Sequence, residues 1–166
     1  MRILVAISFI VVTLSACKVY SFTGASINPN IRTISVQYIS DKSGNSPATA
    51  SDIFTNTLKE KMLNATSLSF VNNGGDVEFD GFISSYNYSI QAPTGTLTSD
   101  LRRITMQVSI TYINNVEEES GFETQTFSRF ADYPVDEDLS SVEENIIREI
   151  SEQLADDIFN KAFVNW

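Results

Sequence analysis

Ile104-Thr105-Met106-Gln107-Val108-Ser109-Ile110-Thr111-Tyr112 alternates large apolar and small polar side chains without a break. A period of two places Ile104, Met106, Val108, Ile110 and Tyr112 on one side of an extended chain and the polar residues on the other, which is a half-buried strand. What lies on either side of it then decides the sheet. Downstream, Asn114-Asn115 and Glu117-Glu118-Glu119-Ser120-Gly121 turn the chain, and Phe122 to Asp132 makes a last, more polar strand. Upstream, Gln91 to Asp100 holds Pro93 and Gly95 and reads as a loop, preceded by an extended run from Val77 to Ile90. Within that run Phe79 and Ile83 share one side, and Phe82, Tyr86, Tyr88 and Ile90 the other. The imperfect alternation points to a bulge at Gly81, and the aromatic side is either core or a lined binding face. Ser67 to Val71 is a short apolar strand, and Asn72-Asn73-Gly74-Gly75-Asp76 a turn able to take positive φ, so the two arms read as a hairpin. The run from Val77 onwards is thus a three-strand antiparallel meander.

The remaining elements supply a first strand and a second layer. Thr33 to Ile39 alternates Ile34, Val36 and Tyr38 with Ser35 and Gln37, a further strand. After a polar turn from Asp41 to Pro47, Thr49-Ala50-Ser51-Asp52 fits a capping box, and a helix runs to about Asn64 with Phe54, Leu58, Met62 and Ala65 in one stripe. Leu139 to about Phe163 is a long amphipathic helix with Ile147, Ile150, Leu154, Ile158 and Ala162 on one face, opened by Ser140-Ser141 with Glu143-Glu144 as a doubled capping box. Strand, helix, four strands and helix make an α+β fold. The expected architecture is a two-layer sandwich, a mostly antiparallel or mixed sheet of four to five strands with two helices packed on one face.

The beginning of the chain reads as an address rather than as architecture. Met1-Arg2, an apolar run from Ile3 to Val12, and Leu14-Ser15-Ala16-Cys17 give the charged start, apolar centre and small-residue exit of a secretory signal. Leu14, Ser15 and Ala16 before Cys17 match the bacterial lipobox and resemble the site of the lipoprotein-specific peptidase. Residues 1–16 are then removed, and Cys17 takes a diacylglycerol on sulfur and a further acyl chain, of the palmitate type, on its amine. Each buried CH₂ of such chains contributes about 0.8 kcal/mol to anchoring. Residues 17–32 are a short lipidated tether and residues 33–166 one domain, long enough for a conventional core. No cofactor beyond this lipid is expected. Lys18 is not the Asp that favours inner-membrane retention, and no acidic run for surface export follows the cysteine. The expected place is therefore the outer membrane of a Gram-negative bacterium, facing the periplasm.

Charge and missing residue types narrow the chemistry. Formal net charge is −10, and removal of Arg2 takes it to −11, so neither nucleic acid nor anionic lipid is sought by bulk attraction. From Lys18 to Val116 seven basic and seven acidic residues balance, whereas Glu117 to Asp157 holds fourteen acids against Arg129 and Arg148. There is no histidine, and the single cysteine is assigned to lipid, which removes the usual general bases, thiol nucleophiles and zinc sites. An enzyme is not expected. Asp132, Asp136, Glu137 and Asp138 lack EF-hand spacing and its glycine, and read as a solvated helix start rather than a calcium site. Gly74-Gly75 has no following Lys and opens no helix, so it is not a phosphate loop. Arg102-Arg103, after the Pro93 loop, and Arg129 are the donors placed to grip a phosphate or a carboxylate; the other reading is charge that guards a strand edge.

A family resemblance runs through the whole mature chain. Tyr20-Ser21-Phe22-Thr23-Gly24-Ala25-Ser26-Ile27, Ser35-Val36-Gln37-Tyr38, Asn73 to Gly81, Ser128-Arg129-Phe130-Ala131-Asp132, and Asp157 to Trp166 resemble the short branch of the LptE family, the lipopolysaccharide-assembly lipoproteins. The resemblance implies an outer-membrane lipoprotein that plugs and supports the β-barrel LptD in lipopolysaccharide transport, with an α+β fold. It departs from that pattern in being acidic where better-studied members present basic residues. Arg102, Arg103 and Arg129 are the candidate contacts with the barrel or with lipopolysaccharide. The alternative is a free-standing periplasmic lipoprotein that binds a lipid or glycan on its aromatic sheet face.

Overall fold

A computed structural model describes residues 27–91 and 101–164, so the signal, Cys17 with its lipobox, most of the tether and the Pro93 loop lie outside the described residues. The elements in chain order are β1 (Thr33–Val36), β2 (Ser40–Asp41), α1 (Ala48–Ala65), β3 (Ser69–Phe70), β4 (Val77–Gln91), β5 (Leu101–Asn114), β6 (Phe122–Pro134) and α2 (Leu139–Phe163). The strands form one sheet ordered β3-β1-β4-β5-β6, with β2 also on β4. This is the expected α+β sandwich. Both helices pack on one sheet face, and the other face is open.

The meander of β4, β5 and β6 is antiparallel over nearly its whole length. Ile104, Met106, Val108 and Ile110 are fully buried on the helix side, as their alternation requires. The hairpin between β3 and β4 does not form. Both strands lie parallel to β1, one on each side of it, with Ile34 opposite Phe70 and Val77. The Asn72 to Asp76 turn therefore crosses the end of β1. Gly74 there takes φ +67°, and a side chain on Gly75 would press within 2.8 Å of the Ser35 amide nitrogen. The Asp76 carboxylate closes the crossing by accepting the N–H groups of Arg32 and Thr33 at 2.8 and 2.9 Å, while the Thr33 hydroxyl accepts the Asp76 N–H.

Two further expectations are corrected within the sheet. The first strand ends at Val36, leaving Tyr38 57% exposed, and Ile39 is the residue buried instead. The hydroxyl of Thr55 on α1 accepts the Ile39 N–H at 3.1 Å, which satisfies the backbone where the ladder breaks. In β4 the bulge lies at Ser84, between Ile83 opposite Val108 and Ser85 opposite Gln107, not at Gly81. Because one unpaired residue reverses the facing, Tyr86 joins Val77, Phe79 and Ile83 in the core while Phe82 turns to the open face under Lys42. Gly81 is required for a different reason: a Cβ there would collide with the Ser109 carbonyl oxygen and lie 2.8 Å from the Ile110 side chain.

Neither capping box forms as read. Pro47 precedes α1 with no side-chain cap, and Thr49 to Asp52 lie inside the helix. Asp138, rather than Ser140 or Ser141, caps α2, its carboxylate accepting the Ser140 N–H and hydroxyl. The buried stripe of α2 is wider than one sheet contact needs, adding Ile146, Ser151, Ala155, Phe159 and Phe163 to the expected residues, because α2 packs on α1 as well. Lys61 and Asp156 bridge the two helices at 2.6 Å. At the far end Phe163 stands edge-on to Phe79 and Tyr112, which stack on one another at 4.9 Å, and so pins the last turn of α2 to the sheet.

Candidate functional site

The meander is longer than the helix that covers it, and the overhang makes the site. Register puts Ile90, Arg102 and Tyr133 on one rung, with Tyr88 and Ile104 on the next, all on the helix side. The helix α2 begins beside that rung, with its first residue Leu139 on the rim. The result is a cleft of about 580 Å³ lined by Tyr88, Ser89, Ile90, Arg102, Tyr133 and Leu139. Ile90 is 73% exposed and Tyr88 48%, so the lining is largely apolar and open to water. Exposed apolar surface of this kind beside a cation suits an amphiphile.

One wall is fixed by a carboxylate on the first turns of α2. Glu143 accepts the hydroxyls of Tyr88 at 2.7 Å and Tyr86 at 3.4 Å, joining the helix start to β4. Burial, then the Glu143 hydrogen bond, pushes the Tyr88 phenol up to about 12, and burial raises Tyr86 further. Both phenols are therefore neutral donors at ordinary pH. Sequence spacing assigned Glu143 to a cap; nothing local marks a partner 55 residues away.

The three arginines separate. Arg103 faces the open side, where it donates two hydrogen bonds to Asp132 at 2.7 and 2.8 Å and stacks on Phe130 at 3.6 Å. Arg129 lies on the helix side at the sheet edge and grips Asp157 through two hydrogen bonds of 2.6 Å. Each of these guanidiniums has its bidentate partner within the chain. Arg102 is the one that lines the cleft, and it makes no ion pair among the described residues. Within the acidic group at 132–138, Asp132 holds Arg103 and Asp138 caps α2. Among the described residues no three metal-binding side chains converge.

A known family covers this architecture from the first buried residue to the last helix. The model of LptE, described as lipopolysaccharide-assembly, matches residues 31–162. The chain belongs to the LptE family. Among solved structures it is similar to the rare lipoprotein B of Shewanella oneidensis, at 16% identity and TM-score 0.53 over 78% of this chain and 92% of that one. It is similar also to the protein CT253 of Chlamydia trachomatis, at 8% identity and TM-score 0.54 over 81% and 98%. A minor lipoprotein of Acinetobacter baumannii aligns at 20% identity and TM-score 0.45 over 80% and 92%. At identities this low, the Shewanella and Chlamydia structures establish shared fold alone. No curated protein matches the chain. As an LptE protein it has a role in lipopolysaccharide assembly, in a family of lipoproteins rather than enzymes. No helix among the described residues is long and apolar enough to cross a membrane.

Proposed function

We propose that this LptE protein is an outer-membrane lipoprotein, anchored through acyl chains on Cys17 and facing the periplasm, that serves as the plug and chaperone subunit of an LptD-type β-barrel. The mature chain would begin at Cys17, with residues 17–32 as tether and 33–166 as the folded domain. The observation that carries the reading is the position of Arg102. A cation without an ion pair among the described residues, set in an apolar cleft at the end of the sheet, is suited to the phosphate and acyl chains of lipopolysaccharide as they pass through a barrel. Arg103 and Arg129 are engaged away from that cleft, by Asp132 and Asp157.

The test compares two single variants. Arg102→Glu leaves the domain folded, because Arg102 is half-buried without an ion pair among the described residues, and substitutions away from buried networks usually stay within about 0.5 kcal/mol. It lowers binding of purified lipopolysaccharide and sensitises cells to detergent. Arg103→Glu sets a carboxylate beside Asp132 and lowers the melting temperature first. The site assignment fails if Arg102→Glu binds lipopolysaccharide as wild type and leaves the permeability barrier intact. A mild-detergent pull-down that recovers no barrel excludes the plug role and leaves a free-standing lipid or glycan carrier. For the anchor, Cys17→Ser abolishes incorporation of labelled fatty acid; retained label refutes it.

A further inference from the structure

The two edges of the sheet are not alike. One is β3, two residues long and too short to template pairing, while the other is β6, thirteen residues from Phe122 to Pro134. Among the described residues no strand lies beyond β6. A long edge offers a row of unpaired backbone donors and acceptors, and proteins usually guard it with outward charges, proline or a bulge. Here those guards stand only at the ends. Pro134 closes one end, and a register shift opposite Ile110 and Tyr112 disrupts the other. Between them Arg129 and Asp132 are folded back by paired hydrogen bonds to Asp157 and Arg103, so neither projects across the edge. Thr126 and Ser128 are short and neutral, and Thr126 leans inward to Ser109 at 3.3 Å. The central segment therefore carries one charge, Arg129, and Asp157 holds it.

Acid bounds it on both sides. Glu117, Glu118, Glu119 and Glu123 precede the usable edge, and Asp136, Glu137 and Asp138 follow it. At about 3.3 Å per residue, the nine steps from Gln125 to Pro134 separate the two acidic ends by roughly 30 Å. This pattern selects its occupant. A second copy of the chain pairing antiparallel across a two-fold axis would bring the glutamates of one end against Asp136 and Glu137 of its neighbour, a like-charge contact at both ends.

We propose that the edge of β6 accepts an extended segment of a partner protein, neutral in its middle and basic at both ends, which adds to the sheet as a further strand. Backbone hydrogen bonds supply the pairing and the two acidic ends set register and choice of partner. The proposal is independent of the cleft around Arg102 and of its ligand.

Amide hydrogen exchange of the full chain tests it, with a nine-residue peptide of alternating Thr and Val carrying two lysines at each end as probe. The lysine-ended peptide slows exchange of the outward-facing amides between Gln125 and Ala131 in a saturable way. The same peptide with glutamate ends binds about tenfold more weakly, the scale on which several exposed ion pairs act together. A double variant, Glu119→Lys with Asp136→Lys, alters two exposed positions, roughly halves the negative charge at the two ends and narrows that preference. The proposal is overturned if both peptides act alike or neither protects the edge. It is overturned equally if the outward amides are already protected in the free chain, which means that the chain covers its own edge. Protection that rises with protein concentration assigns the edge to a second copy and also overturns it.

Discussion

Phe163→Ala measures how firmly the far end of α2 is held. The side chain is 5% exposed and stands edge-on to Tyr112 at 5.7 Å and to Phe79 at 6.1 Å, with Phe159 at 5.5 Å. Removing a buried phenylalanine costs about 3–5 kcal/mol. Phe163 borders a recess of about 310 Å³ that water can enter, which places the transfer and cavity cost near the lower limit. The lost edge-on contacts, worth about 0.5–1.5 kcal/mol each, raise it again, for roughly 4 kcal/mol in all. Against a total stability on the order of 5–15 kcal/mol this is severe but survivable. With a urea dependence of about 2 kcal/mol per molar, the unfolding midpoint falls by roughly 2 M while the slope is unchanged. Near-ultraviolet circular dichroism during urea titration reads both, and Ile90→Ala, at a position 73% exposed, serves as the control that moves little. A loss below about 1 kcal/mol for Phe163→Ala refutes the reasoning, because no buried aromatic cluster can yield so little.

Three other outcomes follow from the same structure. Gly81→Ala drives a methyl into the Ser109 carbonyl and the Ile110 side chain, costing about 1–3 kcal/mol by urea titration; an unchanged midpoint shows that β4 and β5 can part at no cost. The backbone N–H groups of Arg32 and Thr33 hold the Asp76 carboxyl below its ordinary range. A lowered folded-state pKa contributes stability that is present above the unfolded value and lost as pH falls through the folded one. Asp76→Asn is therefore less stable than wild type at pH 7 and equal to it in acid, and a gap that persists in acid contradicts that origin. Tyr88 carries the opposite sign, since its raised pKa gives stability complete below about 10 and lost as pH climbs toward about 12. Tyr88→Phe flattens that alkaline loss in thermal melts, and an unaltered alkaline limb rules out Tyr88, raised first by burial and then by its Glu143 bond, as its source.

Local pattern determined most of the elements. A period of two fixed β5, because alternation over nine residues has one extended solution, and apolar spacing placed α2 over residues 139–163. Composition removed histidine chemistry, and the motif series around Gly74, Arg129 and the C-terminal helix pointed to the LptE family that the match over residues 31–162 establishes. Tertiary structure alone decided who pairs with whom. A glycine-rich turn between two short strands is equally compatible with a hairpin and with a crossing over a third strand, and only burial of Ile34 between Phe70 and Val77 selects the crossing. The bulge at Ser84 left no residue signature, so the facing of Tyr86 could not be read in advance. The site depended on the same kind of information. Arg102, Arg103 and Arg129 are alike as letters, but Asp132 and Asp157, 29 and 28 residues from their partners, claim two of them. Which cation faces the cleft is set by strand register and by where α2 begins, because a side chain's free energy depends on neighbours in space that sequence distance does not encode.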